Sequence, residues 1–152
     1  MSTFVTGNKF GAKKITDPAT GFVFDSKAEY KRWCELRLLE RAGKISRLRR
    51  QVSYELIPAQ REESTEVYKA GPHKGLPKPG KLIEKGVTYI ADFVYEVPYR
   101  QYSDKDGELI FADGWKTIVE DTKGCKKGAA YDLFIIKRKL MLYIHGIRVK
   151  EV

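Results

Sequence analysis

Asp92, Asp121 and Lys123 are the residues of this sequence whose setting asks for chemistry. Asp92 stands in the middle of an apolar run, GVTYIADFVYEV (86–97). An isolated ionised carboxylate in such a place costs several kcal/mol unless it is paired or binds a cation. A second run, WKTIVEDTK (115–123), presents Asp121 and Lys123 two residues apart, hence on one face of an extended chain together with Val119. If the two runs are neighbouring strands, two carboxylates and an ammonium converge. That set suits phosphodiester hydrolysis, in which oxygen ligands hold a hard cation against the scissile phosphate and its water. A nearby lysine can orient or help deprotonate that water and offset developing charge, and its pKa is tunable in such surroundings. A buried ion pair between Lys123 and either aspartate accounts for the same charges with no activity at all.

The elements that must position these groups are legible around them. Ser26 followed by Glu29 has capping-box spacing, Trp33, Leu36 and Leu39 continue an apolar stripe, and Gly43 supplies a stop, which predicts a helix over about 26–42. Residues 46–57 (SRLRRQVSYELI) read as a first strand. From Ala59 to Gly86 the pattern dissolves around GPHKGLPKPGK, which predicts a loop or flexible insertion. In the 86–97 run, Tyr89, Ala91, Phe93 and Tyr95 alternate with Ile90, Asp92 and Val94, so it reads as a central strand covered on both faces. Ser103 to Gly107 is turn chemistry, and 115–123 is the next strand. A second helix over about 129–145 carries Leu133, Ile136, Leu140, Tyr143 and Ile144 at helical spacing, with Gly146 just beyond its end. Residues 147–152 suggest a short final strand, and the irregular start, 1–21, has room for a hairpin. The expected architecture is one α/β domain over 1–152 with a central mixed sheet flanked by helices.

Composition narrows the partners. The 152 residues carry 29 Lys+Arg against 20 Asp+Glu, a net +9, which favours a polyanion. Local clusters include Arg47-Leu48-Arg49-Arg50, Lys126-Lys127 and Lys137-Arg138-Lys139. A run of three bases is more often a solvated face than a binding site. No stretch approaches the ~20 apolar residues of a membrane span, and the start lacks a signal-peptide pattern, so the expected compartment is the cytoplasm. Cys34, Cys125, His73 and His145 lack zinc-site spacing.

With Glu29 on a first helix, Asp92 in YIADF, Asp121-Thr122-Lys123 in VEDTKG and a basic helix after them, the chain resembles the PD-(D/E)XK nuclease superfamily. More narrowly, FDSKAEY, YIADF, VEDTKG and KRKL resemble a small phage-encoded endonuclease branch, a domain of unknown function related to Holliday-junction resolvase-like nucleases. The likeness spans about 22–152, and the four motifs in order are specific where DxK alone is not. Ala91 stands where the superfamily often has proline, which in a central strand would forfeit a ladder bond. The resemblance implies a restriction-endonuclease-like core of helix, three strands, helix and strand. It also implies Asp92 and Asp121 as metal ligands, the Thr122 carbonyl as a third, and Lys123 as the water-positioning residue. The family places a catalytic acid on the first helix, and Glu29 extends the stripe of Trp33 and Leu36, so Glu29 is expected to join the catalytic and metal set rather than serve as a cap alone. Glu120, on the opposite strand face, is expected to be structural.

The expected function is a Mg²⁺- or Mn²⁺-dependent endodeoxyribonuclease leaving 5′-phosphate and 3′-hydroxyl ends, with branched DNA or Holliday junctions preferred as substrate. If phage-encoded, it works in the host cytoplasm. Paired cuts at a junction would require a homodimer. Lys126, Lys127, Lys137, Arg138 and Lys139 follow the reactive lysine and are expected to contact DNA phosphates. Tyr95, Tyr99 and Tyr102 could stack on bases but read better as core and edge aromatics. The alternative class is a non-catalytic nucleic-acid-binding protein that retains the fold.

Overall fold

The computed structural model describes residues 13–99 and 114–152, so the Ser103 to Gly107 turn and Tyr102 lie outside the described residues. The elements run β1 (Ile15–Thr16), β2 (Val23–Phe24), α1 (Lys27–Arg41), β3 (Ser46–Ile57), β4 (Gln60–Arg61), β5 (Leu82–Glu84), β6 (Val87–Tyr99), β7 (Gly114–Asp121), α2 (Ala129–His145) and β8 (Lys150–Glu151). Strands β3, β6, β7 and β8 form one sheet in that order. The β3–β6 and β6–β7 pairs are antiparallel and β7–β8 is parallel, so the α/β architecture has the expected mixed sheet. The irregular start supplies the β1–β2 hairpin. No helix among the described residues is long and apolar enough to cross a membrane.

The two helices cover opposite faces of the sheet, because consecutive strand residues enter different cores. Val94 and Val119 pack with Phe134 and Met141 of α2. Phe93 and Ile118 pack with Trp33 and Leu36 of α1. Each fully buried large side chain contributes about 1.5–3 kcal/mol. Helix α1 starts as its sequence predicts: extended Ser26 accepts a bond from Glu29 N at 3.1 Å. Helix α2 ends at Gly146, whose φ of 65° lets its N–H close on Leu142 and Met141.

Three expectations fail. The predicted stripe of α2 meets the core only at Leu140, with Leu133, Ile136, Tyr143 and Ile144 all exposed, while Phe134 and Met141 are the buried residues. The helix carries two apolar stripes, and periodicity does not say which one docks. Leu39, expected on the buried stripe of α1, is likewise exposed. The 59–86 insertion is an ordered two-stranded ribbon, held by β4–β5 pairing and a Val67–Pro77 bridge.

The strand alternation also breaks at the position that matters most. Tyr89 and Ala91 belong to the α2 core, yet Phe93 and Tyr95 belong to the α1 core, so the expected shared face of Ala91 and Phe93 does not exist. On β3 the same flip occurs: Val52 and Tyr54 pack on the α2 side, and Leu48 on the α1 side. The pairs Arg50–Phe93 and Val52–Ala91 bracket the break, which places Gln51 opposite Asp92. Gln51 has φ 51°, a left-handed backbone uncommon for a non-glycine residue. Asp92 therefore sits where the sheet changes phase.

Candidate active site

The β6–β7 register pairs Phe93 with Glu120, which brings Asp92 next to Asp121. Just past the end of β7, the Thr122 N–H donates to Asp92 Oδ2 at 2.7 Å. The Tyr89 hydroxyl donates to Asp121 Oδ2 at 2.8 Å. Lys123 Nζ lies 2.5 Å from Asp121 Oδ1, an ion pair that is this oxygen's one polar partner among the described residues. The Lys123 ammonium also rests over the Phe134 ring, 4.3 Å from its centre. Pairing with β8 fixes this segment, since Val152 N donates to Asp121 O and Lys123 N to Val152 O. The three residues singled out by sequence thus converge, with strand β7 ending at Asp121 rather than Lys123.

Residues 7–145 match the sequence profile of the family described as "Protein of unknown function (DUF1064)". The chain belongs to this family. No curated protein and no solved structure matches it.

The charge balance within this DUF1064 chain is uneven. Burial, joined by the neighbouring charge of Asp121, pushes the Asp92 carboxyl up to about 7, against the opposing Thr122 N–H bond. Burial also pushes Glu29 and Tyr89 upward. Glu29 is near enough to add to the rise of Asp92, but its own oxygens are occupied. Asp25 N donates to Oε2 at 3.1 Å and Gln51 Nε2 to Oε1 at 3.4 Å. The capping box is therefore half made: Ser26 caps Glu29, while the Glu29 side chain bonds the residue before the cap. Among the described residues no three His, Cys, Asp or Glu side chains form a ready cation cage. The oxygen donors at hand are two carboxylates, which share the single ammonium of Lys123, and the backbone around Thr122. A hard divalent cation fits that donor chemistry.

On the opposite face, Glu120 is fully buried and bonded by Arg32 Nε and NH2 at 2.9 and 2.7 Å, Tyr95 OH at 2.5 Å and Lys150 Nζ at 3.1 Å. Its structural reading agrees with this network.

A groove of about 240 Å³ opens beside Asp121, lined by Tyr89, Ile90, Lys123, Leu133 and Lys137. The five basic residues expected on DNA separate. Lys137 borders the groove, donating to Thr88 O at 2.8 Å. Lys126 and Arg138 are both engaged by Glu151, at 2.8 and 3.1 Å. Lys127 and Lys139 are exposed. The triplet 137–139 lies within α2 and points three ways, so it is no single patch. Arg50 is structural, stacked on Phe22 and Phe24 at 4.8 and 4.5 Å and donating to Val23 O.

Tyr89 and Gln51 were not legible as site residues. Tyr89 reads as core by alternation, and only the fold shows its hydroxyl reaching a residue thirty-two positions away. The signal for Gln51 is a polar residue inside an alternating strand, too common to single out.

Proposed function

We propose that this chain is a divalent-metal-dependent endodeoxyribonuclease with a PD-(D/E)XK, restriction-endonuclease-like core. The observation that carries the reading is a pair of adjacent carboxylates, Asp92 and Asp121, sharing one ammonium, Lys123, at the edge of an open groove. A purely structural ion pair would need only one carboxylate for that ammonium. The order α1, β3, β6, β7, α2, β8 also supports the superfamily reading.

Asp92, Asp121 and the Thr122 carbonyl would hold Mg²⁺ or Mn²⁺, which when bound supplies Lewis acidity at the scissile phosphate and a more acidic water. The Tyr89 hydroxyl and the Thr122 N–H fix one oxygen of each aspartate, and the other oxygen of Asp121 lies against Lys123. Lys123, held by Phe134 and Asp121, orients the attacking water and offsets charge on the phosphate as the bond to the leaving oxygen lengthens. Lys137 anchors a flanking phosphate at the groove. Glu29, near enough to Asp92 to raise it, would join the acidic set by giving up its long bond from Gln51. Branched DNA or a Holliday junction, cut by a homodimer, is the preferred substrate form within this reading.

Incubation of the protein with linear duplex, single-stranded and four-way DNA in Mg²⁺, Mn²⁺ or EDTA tests it. Metal-dependent cleavage that is lost in Asp121→Asn is the expected result. Tight binding with no cleavage under any metal would favour the non-catalytic nucleic-acid-binding alternative.

A further inference from the structure

The ribbon between β3 and β6 has no role in the site just described, yet it is a built structure. Beyond β4 and β5, Glu62 N bonds Lys81 O, Lys78 N bonds Glu66 O, and Tyr68 N bonds Leu76 O, at 2.8 to 3.0 Å. The two strands approach so closely at Gly80 that a Cβ there would lie 1.9 Å from the Glu62 carbonyl oxygen. At the tip, Lys74 N and Leu76 N close turns on Gly71 O and His73 O, and the Tyr68 and His73 rings lie 5.8 Å apart. The arm springs from Ile57 and Val87, the latter next to Thr88 and Tyr89 at the groove. From Ile57 to Tyr68 it can reach up to roughly 35 Å at strand rise, close to one turn of duplex DNA.

Its charge is sorted along its length. The tip from Tyr68 to Pro77 holds Lys69 and Lys74 and no carboxylate, while Lys78 and Lys81 stand across the ribbon from Glu66 and Glu62. Lys78 is paired with Glu66 at 3.2 Å. Lys69, Lys74 and Lys81 are exposed and make no salt bridge among the described residues. A second copy of this chain is a poor occupant for the tip, because a two-fold contact sets the same surface against itself and from Tyr68 to Pro77 it offers ammoniums without carboxylates. A polyanion is the complementary occupant, and a two-stranded ribbon has the width the major groove admits.

We propose that the 58–86 ribbon is a second DNA-gripping surface, which lies along the duplex held at the Asp121 groove and brings Lys69, Lys74 and Lys81 onto backbone phosphates up to about one helical turn away. The proposal rests on the nuclease reading only for where the duplex lies.

The test is binding of the full chain to a 30-base-pair duplex, a length of about three turns, in EDTA, with salt varied between about 50 and 200 mM. Wild type is compared with the K69Q/K74Q/K81Q variant. Three lost phosphate contacts should lower the log–log salt slope by roughly 2.7, so the wild type's advantage shrinks roughly 40-fold across that range. All three side chains are exposed, so the variant should fold, and an unchanged thermal melt checks this. An unchanged slope overturns the proposal. An unchanged slope together with an altered oligomeric state by light scattering overturns it in favour of a second copy. Because binding is read without metal, a reduced slope supports the arm even if the wild type never cleaves DNA, an outcome that removes the nuclease reading alone.

Discussion

Glu120 and Asp121 are neighbours on β7 that face opposite sides of the sheet, and both are buried. Glu120 receives four bonds from three side chains, Arg32, Tyr95 and Lys150. Asp121 receives one hydrogen bond, from Tyr89, and its other oxygen is met by a single ammonium, Lys123. A second carboxylate, Asp92, stands beside it. A buried charge whose bonding capacity is filled stabilises the fold. Two carboxylates that share one ammonium keep an excess negative charge, which a bound cation would complete. The two residues separate structure from site within one dipeptide, and substitutions should separate them too.

The largest effect is expected on the Asp121 side. Asp121→Asn and Asp92→Asn each remove an oxygen anion without changing shape, so cleavage should fall on the order of 1,000-fold or more, as expected when several kcal/mol of transition-state stabilisation by a cation are lost. DNA affinity in EDTA should be kept, and neither protein should melt below wild type, because each change relieves repulsion between the aspartates. Retained cleavage in either variant would end the assignment.

On the Glu120 side the balance should reverse. Arg32→Met strands a fully buried carboxylate, and removing one partner of a buried pair costs about 3–5 kcal/mol. The low end is expected, since Tyr95 and Lys150 remain in place. Denaturant melts should record that loss, while cleavage per folded molecule stays within a few-fold of wild type. A variant that melts normally but fails to cleave would show that the two faces are not separate.

How much of this was legible depends on what kind of pattern carried it. Capping at Ser26, the left-handed Gly146 and the apolar 86–97 run announce α1, α2 and β6 because each is a local signal. The convergence of Asp92, Asp121 and Lys123 follows once β6 and β7 pair. The largely exposed stripe of α2 and the phase flip at Gln51 and Asp92 were not legible. Both are settled by which face meets the sheet, a tertiary matter that periodicity leaves open. The ribbon was missed because glycine and proline mark turns and close approaches alike.

Lys123 sharpens the contrast at an intermediate scale. If it is only the partner of a buried pair, Lys123→Met should unfold the site by the same 3–5 kcal/mol logic. If a cation compensates the aspartates, the variant should stay folded in Mg²⁺, bind DNA, and lose about 100-fold in single-turnover rate, as for one positioned proton-transfer or charge-stabilising group. Melts in Mg²⁺ and EDTA beside single-turnover cleavage decide between them. Normal cleavage, or a collapse in stability despite Mg²⁺, would show this lysine to be structural.

The smallest effect is a pH slope of opposite sign on the two faces. Burial lifts Asp92 from an ordinary 3.8 to about 7, so between those values the folded protein holds a proton that the unfolded chain has released. Stability then falls as pH rises from about 4 to about 7, and the upward shift of Glu29 adds to the fall. Burial alone would raise Glu120 as well, but bonds from Arg32, Tyr95 and Lys150 outweigh it and hold the group below its ordinary 4.5. Its contribution is therefore present above pH 4.5 and lost as pH falls through its lowered value. In EDTA, Asp92→Asn should flatten the decline between about pH 4 and 7 while leaving the acid limb below it unchanged. Mg²⁺ should flatten the same decline in the wild type, because a bound cation takes over the compensation otherwise supplied by the proton. A slope that persists undiminished in Asp92→Asn would assign that proton to another group, Glu29 first.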